Sequence, residues 1–150
     1  MNKELVLSGL DETKQLAAKI ASFLKKENDL PISVHLSGDL GTGKTTLVKE
    51  VLNCLGIKNF INSPTFTLIE PYEINDLKIF HIDLYRVEKI TELSAIGLEE
   101  YLQEANSISF IEWPEKGSGF LKEPDIAISL DHHGETTRKC EVQTSLGLNL

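Results

Sequence analysis

Apolar residues recur along the chain with two different periods, and these periods predict two kinds of element. Residues 11–27 and 45–55 carry apolar side chains every three or four positions, as one buried face of a helix requires. Two shorter helices are expected over residues 91–95 and 98–104. Compact apolar runs, typical of buried strands, occupy residues 4–7, 32–37, 78–83, 107–112, 125–130 and 138–144.

The order of these elements predicts the fold class. Helices and strands alternate in the first part of the chain, whereas strands follow one another near its end. Residues 62–70 run from a loop into a strand, which should pair with 78–83 as a hairpin around the turn signal Asn75-Asp76. We therefore predict a single α/β domain over residues 1–150, with a mixed, mostly parallel sheet flanked by helices and antiparallel strands on the C-terminal side.

The connection between strand 32–37 and helix 45–55 has the sequence of a phosphate-binding P-loop. Residues 38–45 read Gly-Asp-Leu-Gly-Thr-Gly-Lys-Thr and match G-x-x-x-x-G-K-[ST] at every fixed position. The glycines let backbone N–H groups point at phosphate oxygens, and the following helix adds its positive N-terminal end. Lys44 can reach the β- and γ-phosphates, and the Thr45 hydroxyl can bind Mg²⁺. We expect a P-loop NTPase-like domain.

Two acidic residues are candidates for the chemistry that follows nucleotide binding. Asp83 and Glu112 each end a buried apolar strand, and α/β sheets place their ligands at the carboxyl ends of strands. We favour Glu112 as the carboxylate beside the metal, with Asp83 polarising water or holding a metal-bound water. The alternative for either residue is a carboxylate that caps a neighbouring helix.

Two threonines are candidates for further nucleotide contacts. Thr65 lies about 20 residues beyond the P-loop, where many P-loop proteins sense the γ-phosphate, although an ordinary proline turn also explains Ser63-Pro64-Thr65. Thr13 lies where the first helix begins and is a candidate adenine contact, with helix capping as an equal alternative. Because no guanine-reading N-K-x-D stands in a plausible place, ATP is favoured over GTP.

Composition restricts the classes of partner. The net charge is −8, so the chain has no basic surface field to hold DNA or RNA unaided. No apolar stretch approaches the length of a membrane span, and the two cysteines form no C-x-x-C pair. We expect a cytoplasmic protein that contacts neither membrane nor DNA. His132 and His133 on a turn are interpreted as solvated rather than metal-binding.

Several segments together resemble one family. Besides the P-loop, the chain contains Ser-Pro-Thr-Phe-Thr at 63–67, His-Ile-Asp-Leu-Tyr-Arg at 81–86 and Glu-Trp-Pro at 112–114. The P-loop alone is unspecific, but this ordered set is highly specific and extends over nearly the whole chain. The chain is similar to the TsaE (formerly YjeE) family, small bacterial P-loop ATPases that act in the biosynthesis of threonylcarbamoyladenosine in tRNA.

The resemblance implies roles for individual residues. Thr45 and Glu112 match the Mg²⁺ ligands of the family, and Asp83 and Thr65 match positions implicated in hydrolysis or nucleotide sensing. Thr13 corresponds loosely to the adenine contact. The phosphates would lie on the P-loop residues Gly41, Thr42, Gly43, Lys44, Thr45 and Thr46.

The resemblance also implies partners. The family acts with the proteins TsaD and TsaB, and TsaD transfers a threonylcarbamoyl group to the adenosine beside the anticodon in tRNAs that read codons starting with A. The ATPase would reset or drive that complex, so it would reach tRNA only indirectly.

Two other classes of function remain open. One is a nucleotide-gated adaptor without catalysis, which would keep working in cells with alanine at Asp83 or Glu112. The other is a small-molecule kinase, which usually needs several arginines around the transferred phosphoryl group. The chain has only Arg86 and Arg138, which disfavours the kinase.

Overall fold

The computed structural model describes residues 1–58 and 68–150. The strands in this part of the chain are β1 (Asn2–Leu7), β2 (Ile32–Ser37), β3 (Ile69–Ile74), β4 (Leu77–Asp83), β5 (Ser107–Glu112), β6 (Ile126–His132) and β7 (Arg138–Thr144). The helices are α1 (Leu10–Lys26), α2 (Lys44–Leu55), α3 (Ile90–Ala95) and α4 (Leu98–Leu102), followed by a 3₁₀ turn at Pro114–Gly117. No helix in the described ranges is long and apolar enough to cross a membrane.

All of these strands belong to one sheet with the order β1-β7-β6-β2-β5-β4-β3. The central strands β6, β2, β5 and β4 run parallel, whereas β7 and β1 on one side and β3 on the other are antiparallel to their neighbours. The predicted fold class, a mixed sheet with antiparallel strands on the C-terminal side, is therefore confirmed, with the parallel pairing confined to the centre. β3 and β4 also form the predicted hairpin, although β6 continues to His132, where the sequence suggested a turn.

Each face of the sheet packs against its own set of helices. Ile32, Val34 and Leu36 alternate along β2 and pack with α1 and α2 in the larger core. Ile82 and Ile111 point the other way and pack with α3 and α4 in a smaller core. On β4 and β5 the residues next to these isoleucines therefore face α2. Asp83 and Glu112, the last residues of β4 and β5, are among them.

Candidate functional site

The P-loop has the backbone shape that its glycines allow. Gly43 takes a left-handed conformation (φ 99°) immediately before α2, so the helix begins at Lys44. Gly38 has φ 142°, and a Cβ atom there would lie 2.2 Å from the carbonyl oxygen of Leu130 on β6. The buried Thr42 hydroxyl donates to the Asp39 carbonyl at 2.9 Å and closes the loop. The N-terminal end of α2 is thereby held at the carboxyl edge of the sheet.

Lys44 is a buried cation held on several sides. Its ammonium donates to the carbonyls of Gly38 (2.6 Å) and Asp39 (2.9 Å) and lies 4.5 Å from the ring centroid of Trp113. Burial lowers the pKa of Lys44 from its usual value, while the charge of Glu112 opposes that shift. The ammonium is therefore fixed beside a cavity that Asp83 and Glu112 also line.

The acidic residues meet at the ends of adjacent parallel strands. Asp83 on β4 is paired in register with Glu112 on β5, and both are almost fully buried. Thr45 Oγ1 donates to the Glu112 carboxylate, at 2.8 Å from Oε1 and 2.9 Å from Oε2. Asp83 Oδ1 accepts the backbone N–H of Tyr85 at 2.9 Å, which orients its side chain. A hydroxyl and two carboxylates therefore converge beside the P-loop.

These groups border a cavity of about 320 Å³. Its wall includes the P-loop backbone together with Lys44, Thr45, Asp83, Glu112 and Trp113. Hydroxyl and carboxylate oxygens are the ligands that Mg²⁺ prefers, so the donor set fits a magnesium ion. Trp113 itself has a left-handed backbone (φ 57°), which is uncommon for a bulky residue and frequent at functional positions.

A second cavity, of about 200 Å³, shares Gly43 and Thr46 with the first. It is also lined by Thr13 from α1, Thr42 from the P-loop and Arg138 from β7. The Thr13 hydroxyl donates to the Gly9 carbonyl at 3.3 Å. This cavity is the candidate site for the nucleoside part of a nucleotide, since it adjoins the backbone that is predicted to bind phosphate.

Comparison with known proteins decides the family. The family model "Threonylcarbamoyl adenosine biosynthesis protein TsaE" matches residues 7–140, which is most of the chain. This chain belongs to the TsaE family. The match includes the P-loop, both strand-end carboxylates, β6 and the first three residues of β7.

Individual TsaE proteins align with this chain over most of their length. The "tRNA threonylcarbamoyladenosine biosynthesis protein TsaE" of Haemophilus influenzae is 43% identical over 130 residues, covering 85% of this chain and 81% of the relative. The protein of the same name from Rickettsia felis is 37% identical, covering 94% and 80%. A crystal structure of YdiB from Bacillus subtilis superposes with a TM-score of 0.76 at 27% identity, covering 95% of this chain and 84% of that one.

Most of the residues that the TsaE resemblance singles out lie at the P-loop in the structure. Lys44, Thr45, Asp83 and Glu112 border one cavity, and Thr13 lines the neighbouring one. Of the remaining P-loop positions, Gly41, Gly43 and Thr46 also border the first cavity, and Thr42 lines the second. Thr65 falls at 59–67, outside the described residues, so its role stays a prediction.

Sequence reasoning missed the contribution of the β6–β7 hairpin. Arg138 Nη2 donates to the Gly41 carbonyl at 3.3 Å, and His132 Nε2 lies 3.3 Å from the Leu40 carbonyl oxygen. Both side chains therefore contact the P-loop, and His132 is exposed, as predicted. No sequence motif predicts these contacts, because they depend on where the β6–β7 hairpin packs relative to the P-loop, which lies more than 90 residues earlier in the chain. No cluster of three or more metal-ligating side chains is found in the described ranges.

Proposed function

We propose that this chain binds ATP with Mg²⁺ and hydrolyses it. The observation that carries the proposal is the bond between the Thr45 hydroxyl and the Glu112 carboxylate, at 2.8 and 2.9 Å, beside the buried ammonium of Lys44. This arrangement unites a P-loop with two oxygen ligands suited to a nucleotide-bound Mg²⁺, whose other positions phosphates and waters would fill. A P-loop that served only as a structural turn would not need a buried carboxylate at this point.

The side chains of the cavity have separable roles in this proposal. Thr45 and Glu112 would hold Mg²⁺, which when bound neutralises charge on the phosphates. Lys44 exchanges its carbonyl partners for phosphate oxygens of the nucleotide. Asp83, oriented by the Tyr85 N–H, accepts a hydrogen bond from the attacking water and aligns it with the terminal phosphorus. Trp113 covers the ammonium and limits the access of other water.

The cavity around Thr13 would receive the adenine and ribose. Its wall combines the hydroxyls of Thr13 and Thr46 with the Arg138 guanidinium and leucine side chains. A planar base can lie against apolar side chains while its edge meets hydroxyls, as in other small-molecule sites.

The family supplies the cellular setting of the proposal. As a TsaE protein, the chain would act in threonylcarbamoyladenosine formation on tRNAs that read codons beginning with A. It would act with TsaD and TsaB, leave the group transfer to TsaD, and reach tRNA through that complex. Work on tRNA would place the chain in the cytoplasm.

The experiment is a measurement of phosphate release from ATP by the chain alone, and then with TsaB, TsaD and tRNA from the same organism. We expect slow Mg²⁺-dependent release by the chain alone and a clear increase with the partners. A phosphorylated acceptor without phosphate release would indicate a kinase. Nucleotide-dependent binding to the partners without any turnover would indicate an adaptor.

A further inference from the structure

The buried side chain of His81 contacts the carboxylate of Glu112 from the neighbouring strand. Its Nε2 atom lies 2.6 Å from Glu112 Oε2, and the His81 side chain has no exposed surface. In the parallel pairing of β4 and β5, His81 lies opposite Phe110 and Asp83 lies opposite Glu112. His81 and Glu112 are therefore on the same face of the sheet, one diagonal step apart.

The two ring nitrogens of His81 are in different situations. Carboxylate oxygens only accept hydrogen bonds, so Nε2 carries the hydrogen and donates it to Glu112. The Nδ1 atom is buried without a hydrogen-bond partner in the described residues. Packing alone does not explain this residue, because an apolar side chain would fill the same space without burying a ring nitrogen that has no partner among the described residues. The bond to Glu112 is therefore the specific contribution that the imidazole makes.

We propose that His81 is a positioning residue for the Glu112 carboxylate. Its Nε2–H holds Oε2, so that the carboxylate stays turned toward the Thr45 hydroxyl and both can face one divalent cation. Groups that hydrogen-bond a metal ligand in this way fix its orientation, and their removal typically weakens metal affinity about 10–100-fold. The inference rests on the proposed function, because it gives His81 a role only where Glu112 is a metal ligand.

Two amide variants test the position of the donor. In His81→Gln the side-chain amide nitrogen can reach the place of Nε2 and donate to Glu112. In His81→Asn the same amide is one methylene shorter and ends near the place of Nδ1, where it has no carboxylate to contact. Both variants bury one amide, so they are matched in polarity. His81→Leu, which lacks a donor, replaces the Asn variant in the comparison if thermal unfolding shows that the Asn variant does not fold.

The readout is the gain in ADP affinity on adding Mg²⁺, measured by isothermal titration calorimetry with and without a chelator. Without Mg²⁺ we expect wild type and both variants to bind ADP alike. With Mg²⁺ we expect the Asn variant to lose at least about tenfold of the gain, and the Gln variant to stay within about threefold of wild type. Hydrolysis rates should fall in the same order.

The inference is overturned if the Asn variant keeps the wild-type gain, or if the Gln variant loses as much of it as the Asn variant. Failure of the proposed function has a different signature, since it appears in the wild-type protein itself. A wild type whose ADP affinity does not respond to Mg²⁺ and which releases no phosphate would remove the metal site, and with it the role of His81.

Discussion

At the scale of single residues, we expect the proposed nucleotide binding to depend most on the ammonium of Lys44. It is held by two P-loop carbonyls and covered by Trp113, so it is already located where phosphate oxygens would lie. Removing it in Lys44→Ala should weaken ATP binding at least about tenfold, because charge-assisted hydrogen bonds are lost. Calorimetric titration with ATP measures this directly, and Lys49→Ala, on the same helix but absent from the cavity wall, is the matched control. Unchanged affinity in the Lys44 variant would contradict the site assignment.

The thiol of Cys140 gives a residue-scale prediction about alkaline stability. Burial raises the pKa of Cys140 from 9.0 to about 12. The unfolded chain releases the thiol proton near its ordinary pKa and the folded chain does not, so the stabilising contribution is complete below pH 9.0 and is lost as the pH rises toward 12. Between about pH 8 and about pH 10.5 the free energy of unfolding should fall more steeply for wild type than for Cys140→Ala or Cys140→Ser. Equal slopes in denaturant titrations would refute this.

At the scale of elements, the P-loop is fitted tightly against β6. A Cβ atom on Gly38 would lie 2.2 Å from the Leu130 carbonyl oxygen, and the positive φ is unfavourable for any other residue. We expect Gly38→Ala to lower the free energy of unfolding by about 2 kcal/mol, measured by chemical denaturation. Gly9→Ala is the matched control, since a Cβ atom there has nothing within 4 Å. If both alanine variants were equally stable, the close approach of P-loop and β6 would be wrong.

The carboxylate of Asp83, at the end of β4, should contribute more to ATP turnover than to nucleotide binding. Asp83→Asn keeps the acceptor for the Tyr85 N–H but removes the negative charge that orients water in the proposed mechanism. We expect kcat for ATP hydrolysis to fall about 100-fold with nucleotide affinity preserved, in line with the loss of a positioned catalytic group. Asp76→Asn, in the turn at the opposite end of β4, should leave both quantities near wild type. Intact turnover in the Asp83 variant would return this carboxylate to a structural role.

At the scale of the whole molecule, the net negative charge of the chain disfavours direct binding to tRNA. Acidic residues outnumber lysine and arginine by 23 to 15, and phosphate backbones are held mainly by positive charge. We expect no mobility shift of tRNA with this chain alone at about 0.15 M salt, and a shift once TsaD and TsaB are present. A salt-sensitive complex between tRNA and the isolated chain would show that it has a nucleic-acid surface of its own.

How much of this molecule the sequence predicts depends on how local each feature is. The P-loop, its flanking β2 and α2, and the strand-end positions of Asp83 and Glu112 follow from short segments with a clear pattern. The pairing of β1 with β7, the contact of Arg138 with Gly41, and the bond between His81 and Glu112 join residues far apart in the chain. These depend on strand order and register, which single-sequence patterns specify weakly.

The pairing of Asp83 with Glu112 has a consequence for assays of refolding. Side chains alternate across a strand, so a slip of one residue between β4 and β5 would move one carboxylate to the opposite face of the sheet. Such a misfolded chain would keep its helices, its P-loop and its compact size, yet its two acidic groups would no longer be neighbours. The circular dichroism spectrum of such a chain would resemble that of the native protein, whereas its rate of phosphate release would be low. The yield of active protein after dilution from denaturant should therefore report the accuracy of strand alignment, which optical spectra do not detect.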